Sequence, residues 1–277
     1  MAHSLYRLLD TVWNTPHLVT EAALRPIVDY LQTRTAGEIA MSSAVVPNAK
    51  APQPEKVGGI GEIKVDGVLT YKPVVGMCGP VGVSYQSILQ DAQSLINAGV
   101  DTIVMTHSSP GGQAAHCFST ALELRDMCDK AGVRLISYID VQSCSAALAL
   151  GVVADEVYIH PSAYTGSIGC VCALVDKSKA MADAGLKPIY IASTPGKTGF
   201  NADGSFSDSF LEELQADVTR LGNQFAEHVS KFTGIDVETI AAMDAKTYHA
   251  EAAVEVGLAN GVMDHKQFAD YLTKDKT

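Results

Sequence analysis

The sequence predicts an α/β fold: a mostly parallel sheet covered by helices, with a small helical lead in front. Two observations predict it. From Ile60 onward, short apolar runs alternate with longer segments whose apolar residues recur at three and four, the pattern of successive βαβ units. The 277 residues are 47% hydrophobic and 18% charged, enough to bury the core of one large domain or two small ones.

In chain order, residues 1–36 read as the helical lead. Asn14-Thr15-Pro16 is a turn signal, and Thr20 can cap a helix carrying Ala23, Leu24, Ile27, Val28 and Leu31 on one stripe. Residues 37–59 change character. Small residues, Pro47, Pro52, Pro54 and the pair Gly58-Gly59 read as a linker. Residues 60–277 form the main domain. Its expected strands are Ile60–Val65, Ile103–Thr106, Arg134–Ile139, Val157–His160, Cys170–Val175 and Pro188–Ala192. Its expected helices are Tyr85–Ala98, Ala114–Ala131, Ser145–Val153, Lys177–Ala184 and a long one over Asp208–Phe232. In the last, Phe210, Leu211, Leu214, Val218, Leu221 and Phe225 share a face.

Charge and composition exclude several classes. Lys plus Arg is 20 and Asp plus Glu is 31, a net charge of −11, which argues against a nucleic-acid partner. No run reaches the roughly 18 apolar residues of a membrane span, and the start of the chain lacks the pattern of a signal peptide. A cytoplasmic setting follows. The six cysteines show no C-x-x-C spacing, so they read as reduced structural thiols, not a metal or redox site. Cys170 and Cys172 are expected on one face of a buried strand.

Four segments carry chemistry. Ser109-Pro110-Gly111-Gly112 lies between a strand and a helix, where glycines allow close backbone approach and free N–H groups can hold an oxyanion. Ser143-Cys144-Ser145-Ala146-Ala147 follows the next strand, a placement that lifts a serine hydroxyl above the sheet edge. Gly166-Ser167-Ile168-Gly169 comes third, and Pro195-Gly196-Lys197-Thr198-Gly199 fourth. Singly, each has a plain alternative: an ordinary turn for Pro-Gly-Gly, a helix cap for Ser145, a solvated surface residue for Lys197.

In this order the four segments resemble the signal peptide peptidase A family of Ser-Lys proteases, and more closely its phage branch of head maturation (capsid assembly) proteases. Ser145, Ala146, Ala147, Leu150, Ala154 and Asp155 match the motif around the family's nucleophile, and Gly166-Ser167-Ile168-Gly169 matches without change. Gln215-Ala216-Asp217-Val218 resembles the helix after the Lys loop, and counting back from it places Lys197 on the general base. Val12-Trp13-Asn14-Thr15-Pro16 resembles the leader of the phage branch, and Tyr248-x-x-Glu251-Ala252 the closing helix. Leu148, Ser108 and Thr194 depart from the family pattern, and the Lys loop continues as Gly199-Phe200-Asn201-Ala202-Asp203-Gly204.

The resemblance implies a Clp protease/crotonase-like fold with 60–277 as the protease domain, and acyl transfer with Ser145 as nucleophile and Lys197 as base. Gly111 or Gly112 with Ala146 would hold the oxyanion, and Ser167 would orient the lysine amine. It implies no cofactor and no metal. Its expected partners are protein substrates (scaffold, capsid or portal proteins) and further copies of itself, in rings where Ser and Lys can come from adjacent subunits. The expected location is the host cytoplasm and procapsid interior. The linker 37–59 is expected to be cut by the enzyme or a neighbouring copy. Two alternatives stand beside this reading: a Clp-like protease with His107 or His160 as base, and a non-catalytic capsid-assembly protein on the same fold. A crotonase would leave the Lys loop unexplained. Cys144 cannot share the oxyanion turn with Ser145, since successive residues at a helix start point about 100° apart.

Overall fold

A computed structural model describes residues 15–25, 54–73, 75–76, 79–80 and 82–274. The first described element is a strand, β1 (His17–Val19), buried along its length. A helical turn at 21–25 follows, its Ala23 and Leu24 N–H groups donating to the Thr20 carbonyl, where the cap was expected.

β2 (Glu55–Val57) and β3 (Ile60–Asp66) form a hairpin. Gly58 and Gly59 have φ of +56° and +84°, and a two-residue hairpin turn needs positive φ at both positions. The end of the stretch read as linker is therefore an edge strand, and its glycine pair is the turn. Residues 26–53 lie outside the described residues; they include Ile27, Val28 and Leu31 of the expected helical lead and 37–53 of the linker in which a cut is expected.

β4 (Val75–Gly76) and β5 (Gly79–Pro80) pair in a small ribbon. α1 (Tyr85–Asn97) begins at Ser84, whose hydroxyl accepts from the Ser87 N–H in a capping box, and it buries Tyr85, Ile88, Ala92 and Leu95. β6 (Thr102–Ser109) leads through Pro110 into β7 (Gly111–Gln113). α2 (Cys117–Ala131) ends on Gly132 in the left-handed region. β8 (Arg134–Cys144), α3 (Ala146–Gly151), β9 (Glu156–Ile159) and β10 (Tyr164–Gly166) follow. Then come α4 (Ser178–Asp183), a short 3₁₀ turn at Pro195–Lys197 and the long α5 (Asp208–Thr233). The chain continues through α6 (Val237–Ala242), β11 (Thr247–His249), α7 (Ala250–Glu255), β12 (Gly261–Val262) and α8 (His265–Lys274).

The main sheet runs in the order β11-β10-β8-β6-β3-β2, and β9 pairs with both β8 and β12. β3, β6 and β8 are parallel, β9 and β10 run parallel to β8, and the antiparallel β2 and β11 sit at the edges. The expected mostly parallel sheet is present. β8 forks: Ile136–Ile139 pair with β9, whereas Gln142–Cys144 pair with β10. The fork coincides with a register shift against β6, where His107 faces Ile139 but Ser108 faces Gln142. Because β3, β6 and β8 are parallel, the turns after Asp66, Ser109 and Cys144 gather at one sheet end, where α/β folds build sites.

Two expected strands are absent. Between Cys170 and Ala192 the only ladder contact is a single bridge from Val171 to His17. Cys170 and Cys172 are half-buried and not in a buried strand. Ile189 and Ile191 are 81% and 96% exposed. Strand sequences become strands only where a ladder partner takes their backbone groups along several residues, and among the described residues only Val171 has a ladder partner here, His17.

Candidate active site

Ser145 stands between the end of β8 and the start of α3, with φ +54° and ψ −118°. A non-glycine residue held there stores about 1–3 kcal/mol of strain. Two backbone bonds hold it: the Ser145 N–H donates to the Gly166 carbonyl (2.9 Å), and the Ser145 carbonyl accepts from the Ala149 N–H (3.0 Å). The residues behind it are small and buried: Ala146, Ala147 and Ala149. The elbow buries the Ser145 side chain completely, and its Oγ has no hydrogen-bond partner. A buried hydroxyl normally finds one.

The glycine turn lies against this serine. A Cβ on Gly111 would stand 3.0 Å from the Ser145 Cβ and 2.2 Å from the Leu18 carbonyl oxygen, and Gly111 has φ +105°. A Cβ on Gly112 would stand 1.9 Å from the Leu69 carbonyl oxygen. Both glycines are thus required by close backbone approach. The turn is also strapped from outside. Ser109 Oγ donates to the Gly67 carbonyl (2.6 Å) and accepts from the Gly111 N–H (3.2 Å). The buried Tyr85 hydroxyl donates to the Gln113 carbonyl (2.5 Å). The Ala146 N–H belongs to the first turn of α3, whose amides have no partner inside the helix. Ser145, Ala146 and the Gly111-Gly112 turn therefore come together as the motifs require.

Ser167 follows Gly166, whose carbonyl accepts from the Ser145 N–H, so it adjoins the site. Its φ is +55°, and its N–H donates to the Lys246 carbonyl (2.8 Å). Lys197 is different. It ends the 3₁₀ turn, is exposed, and makes no hydrogen bond to Ser145 Oγ. Within one chain, the pair is not assembled.

The histidine alternatives have other duties. His107 is fully buried, with Nδ1 against Ser143 Oγ (3.1 Å) and Nε2 against Ser137 Oγ (3.3 Å). Burial lowers its pKa to about 3, which keeps the ring neutral. His160 bonds Ser162 Oγ (2.8 Å) and faces the His265 ring at 4.7 Å. Neither bonds Ser145 Oγ. Cys144 is buried, and burial pushes its thiol up to about 12, so it supplies no thiolate.

The sequence profile of peptidase family S49 matches residues 127–277, just over half of the chain. The chain belongs to peptidase family S49. The matched span includes Ser145, Ser167 and Lys197 and begins after the Gly111-Gly112 turn. Two curated phage proteins are similar over 213 residues, 75% of this chain. The capsid assembly protease C of Escherichia phage lambda is 28% identical, with 47% of its length covered. The head-tail preconnector protein GP5 of Enterobacteria phage P21 is 26% identical, with 41% covered. The chain thus spans less than half the length of these relatives. Among solved structures, a ClpP1 mutant from Listeria monocytogenes superposes with a TM-score of 0.48 at 11% identity, covering 74% of this chain and 92% of that one. The profile match bears out the S49 membership read from the motifs, and the two phage relatives bear out its phage branch.

Three parts of this S49 site were not foreseen. Ser109 acts through its Oγ on the backbone of Gly67 and Gly111, and Gly166 through its carbonyl on the Ser145 N–H, roles that a motif shows only as a residue type. The segment His17–Val19, read as part of a helical lead, is instead a strand packed on the glycine turn, because β7 takes its backbone groups.

Proposed function

We propose that this chain is a serine endopeptidase of phage head maturation, with Ser145 as nucleophile and Lys197 of a neighbouring copy as general base. The observation that carries the reading is the buried, unpaired Ser145 Oγ on a strained elbow beside the Gly111-Gly112 turn. A polar group held without a partner lowers stability and is retained where chemistry needs it.

Ser145 Oγ attacks the peptide carbonyl and passes its proton to the neutral lysine amine, which hands it to the leaving amine. The Gly112 and Ala146 N–H groups stabilise the oxyanion. Ser167 orients the amine. No cofactor or metal takes part. Membership of S49, and relatives named for capsid assembly and head-tail preconnection, support scaffold, capsid or portal proteins as substrates. On this reading the enzyme works in the host cytoplasm and the procapsid interior.

A base supplied in trans accounts for the exposure of Lys197. The arm that carries it displays Leu186, Ile189 and Ile191, all mostly exposed in the single chain, beside the partly exposed Tyr190–Phe200 ring stack. A second copy covers it and brings the lysine to the next serine. The test is complementation. Ser145→Ala and Lys197→Ala should each be inactive alone, and a mixture should recover activity. Full cleavage by Ser145→Ala would overturn the function. Inactive mixtures that still form mixed oligomers would return the lysine to its own chain.

A further inference from the structure

The groove beside Ser145 is already filled, and the occupant belongs to this chain. β1 runs antiparallel to β7, setting His17 against Gln113, Leu18 against Gly112 and Val19 against Gly111. On its other edge, the His17 N–H donates to the Val171 carbonyl (2.7 Å), and the Val171 N–H donates to the His17 carbonyl (2.9 Å). Residues 16–20 are thus the middle strand between two walls.

The register can be fixed from the flanking bonds. The Thr20 N–H donates to the Pro110 carbonyl (3.1 Å), and the Ala114 N–H donates to the Pro16 carbonyl (3.3 Å). Antiparallel ladders bond every second residue, so Leu18 and Gly112 form the bonded pair between them. The far edge of β7 agrees. There the Gly111 carbonyl accepts from Leu69 N–H (2.8 Å) and the Gln113 N–H donates to the Leu69 carbonyl (2.9 Å), which leaves the Gly112 groups facing β1. The Leu18 carbonyl therefore meets the Gly112 N–H, one of the two proposed oxyanion donors. Its oxygen and the Ser145 Cβ also flank one point, the place of a Cβ on Gly111, at 2.2 and 3.0 Å.

An extended strand added beside a sheet-edge segment is a standard way to hold a peptide. We propose that Pro16–Thr20 occupies the substrate groove in substrate direction, with Leu18 in the acyl-side pocket and Leu18–Val19 the first bond this enzyme cuts. This rests on the protease reading above. The substrates are extended peptides with an aliphatic residue before the cut. The Leu18 side chain is fully buried, in the same apolar cluster as Leu69, Ala147 and Ile168. Upstream, a cleft of about 290 Å³ lined by Thr15, Pro16, His116, Phe118 and Leu221 continues the groove for apolar residues that precede the cut.

Ser145 Oγ adds to the Leu18 carbonyl carbon, and its proton passes through the Lys197 amine of a neighbouring copy to the Val19 nitrogen. The C–N bond breaks, and Val19 becomes a new N-terminus. Water then adds to the acyl carbon, the Leu18 carboxylate leaves, and the Ser145 hydroxyl is restored.

The test uses the full chain as wild type, Ser145→Ala and Val19→Pro, read by intact mass, N-terminal sequencing and cleavage of β-casein. Val19 lies at a non-bonded ladder position toward β7, so a proline there removes no β7 bond yet blocks the cut. Wild type should begin at Val19. Both variants should keep the residues through Leu18, and Val19→Pro should cut casein at least tenfold more slowly because the groove stays filled. Casein cuts should fall after leucine and similar aliphatic residues. A wild type that cuts casein but keeps its own Leu18–Val19 bond would overturn this proposal and leave the protease reading standing. Casein cuts without aliphatic preference would overturn the pocket assignment. Loss of both activities would overturn the protease reading as well.

Discussion

Ser145→Ala should make the protein more stable while abolishing its activity. The hydroxyl is fully buried and unpaired, and an unsatisfied buried polar group costs about 1–3 kcal/mol. Alanine keeps the Cβ, so the strain at φ +54° remains and only the desolvation penalty disappears. The expected gain is about 1–2 kcal/mol, after allowing for the lost oxygen contacts. For a domain of this size that raises Tm by about 3–6 °C. Urea unfolding and calorimetry should be run with Lys197→Ala as the common background, which keeps both chains uncut. Activity, measured without that background, should fall by at least about 10³-fold, as for removal of a nucleophile acting in a unit. A Ser145→Ala protein less stable by about 1 kcal/mol or more would refute the reasoning, because the hydroxyl would then have a structural partner.

Gly112→Ala places a methyl 1.9 Å from the Leu69 carbonyl oxygen, so the donor strand must shift; cleavage should fall by about 10²-fold or more with the circular dichroism spectrum kept. Folded His107 has its pKa lowered from 6.5 to about 3, so the unfolded chain binds the extra proton and stability falls with pH below about 6.5. The loss should reach about 2 kcal/mol at pH 5 and continue toward pH 3, and urea midpoints of His107→Asn should show a flatter slope. Ile189→Asp with Ile191→Asp should leave the monomer's melting within about 0.5 kcal/mol of wild type, because both side chains are 81% or more exposed, yet shift light scattering toward smaller species; an unchanged oligomer would remove this arm from the interface.

The elements that were legible carry their own cause in local sequence. α1 appears within a residue of its expected span because Ser84 caps it and Tyr85, Ile88, Ala92 and Leu95 share one face. β3, β6 and β8 are apolar runs between helices; β3 ends one residue past its expected end, whereas β6 runs on to Ser109 and β8 to Cys144, into the site. β7 was missed because Gly-Gly-Gln has no strand preference, and β10 because Tyr-Thr-Gly is too short to show a period; the pairing of both comes from neighbours far along the chain. At the site, Ser145 and the glycine turn were legible as residue types. The strained dihedral and the orphaned hydroxyl were not, since both arise from where Gly166 and β1 are placed by the sheet.

The two strands that did not form are the more instructive failure. Apolar periodicity in Pro188–Ala192 reports that Ile189 and Ile191 favour burial, but it is silent on what buries them. Within one chain they stand in solvent, at 81% and 96% exposure, a few residues before Lys197. Leaving two such side chains exposed forgoes about 1.5–3 kcal/mol each. The same hydrophobic signal that predicted an internal strand thus measures a driving force for association. A second copy that recovers it also fixes the arm on which the lysine rides, so assembly and completion of the site would be a single event.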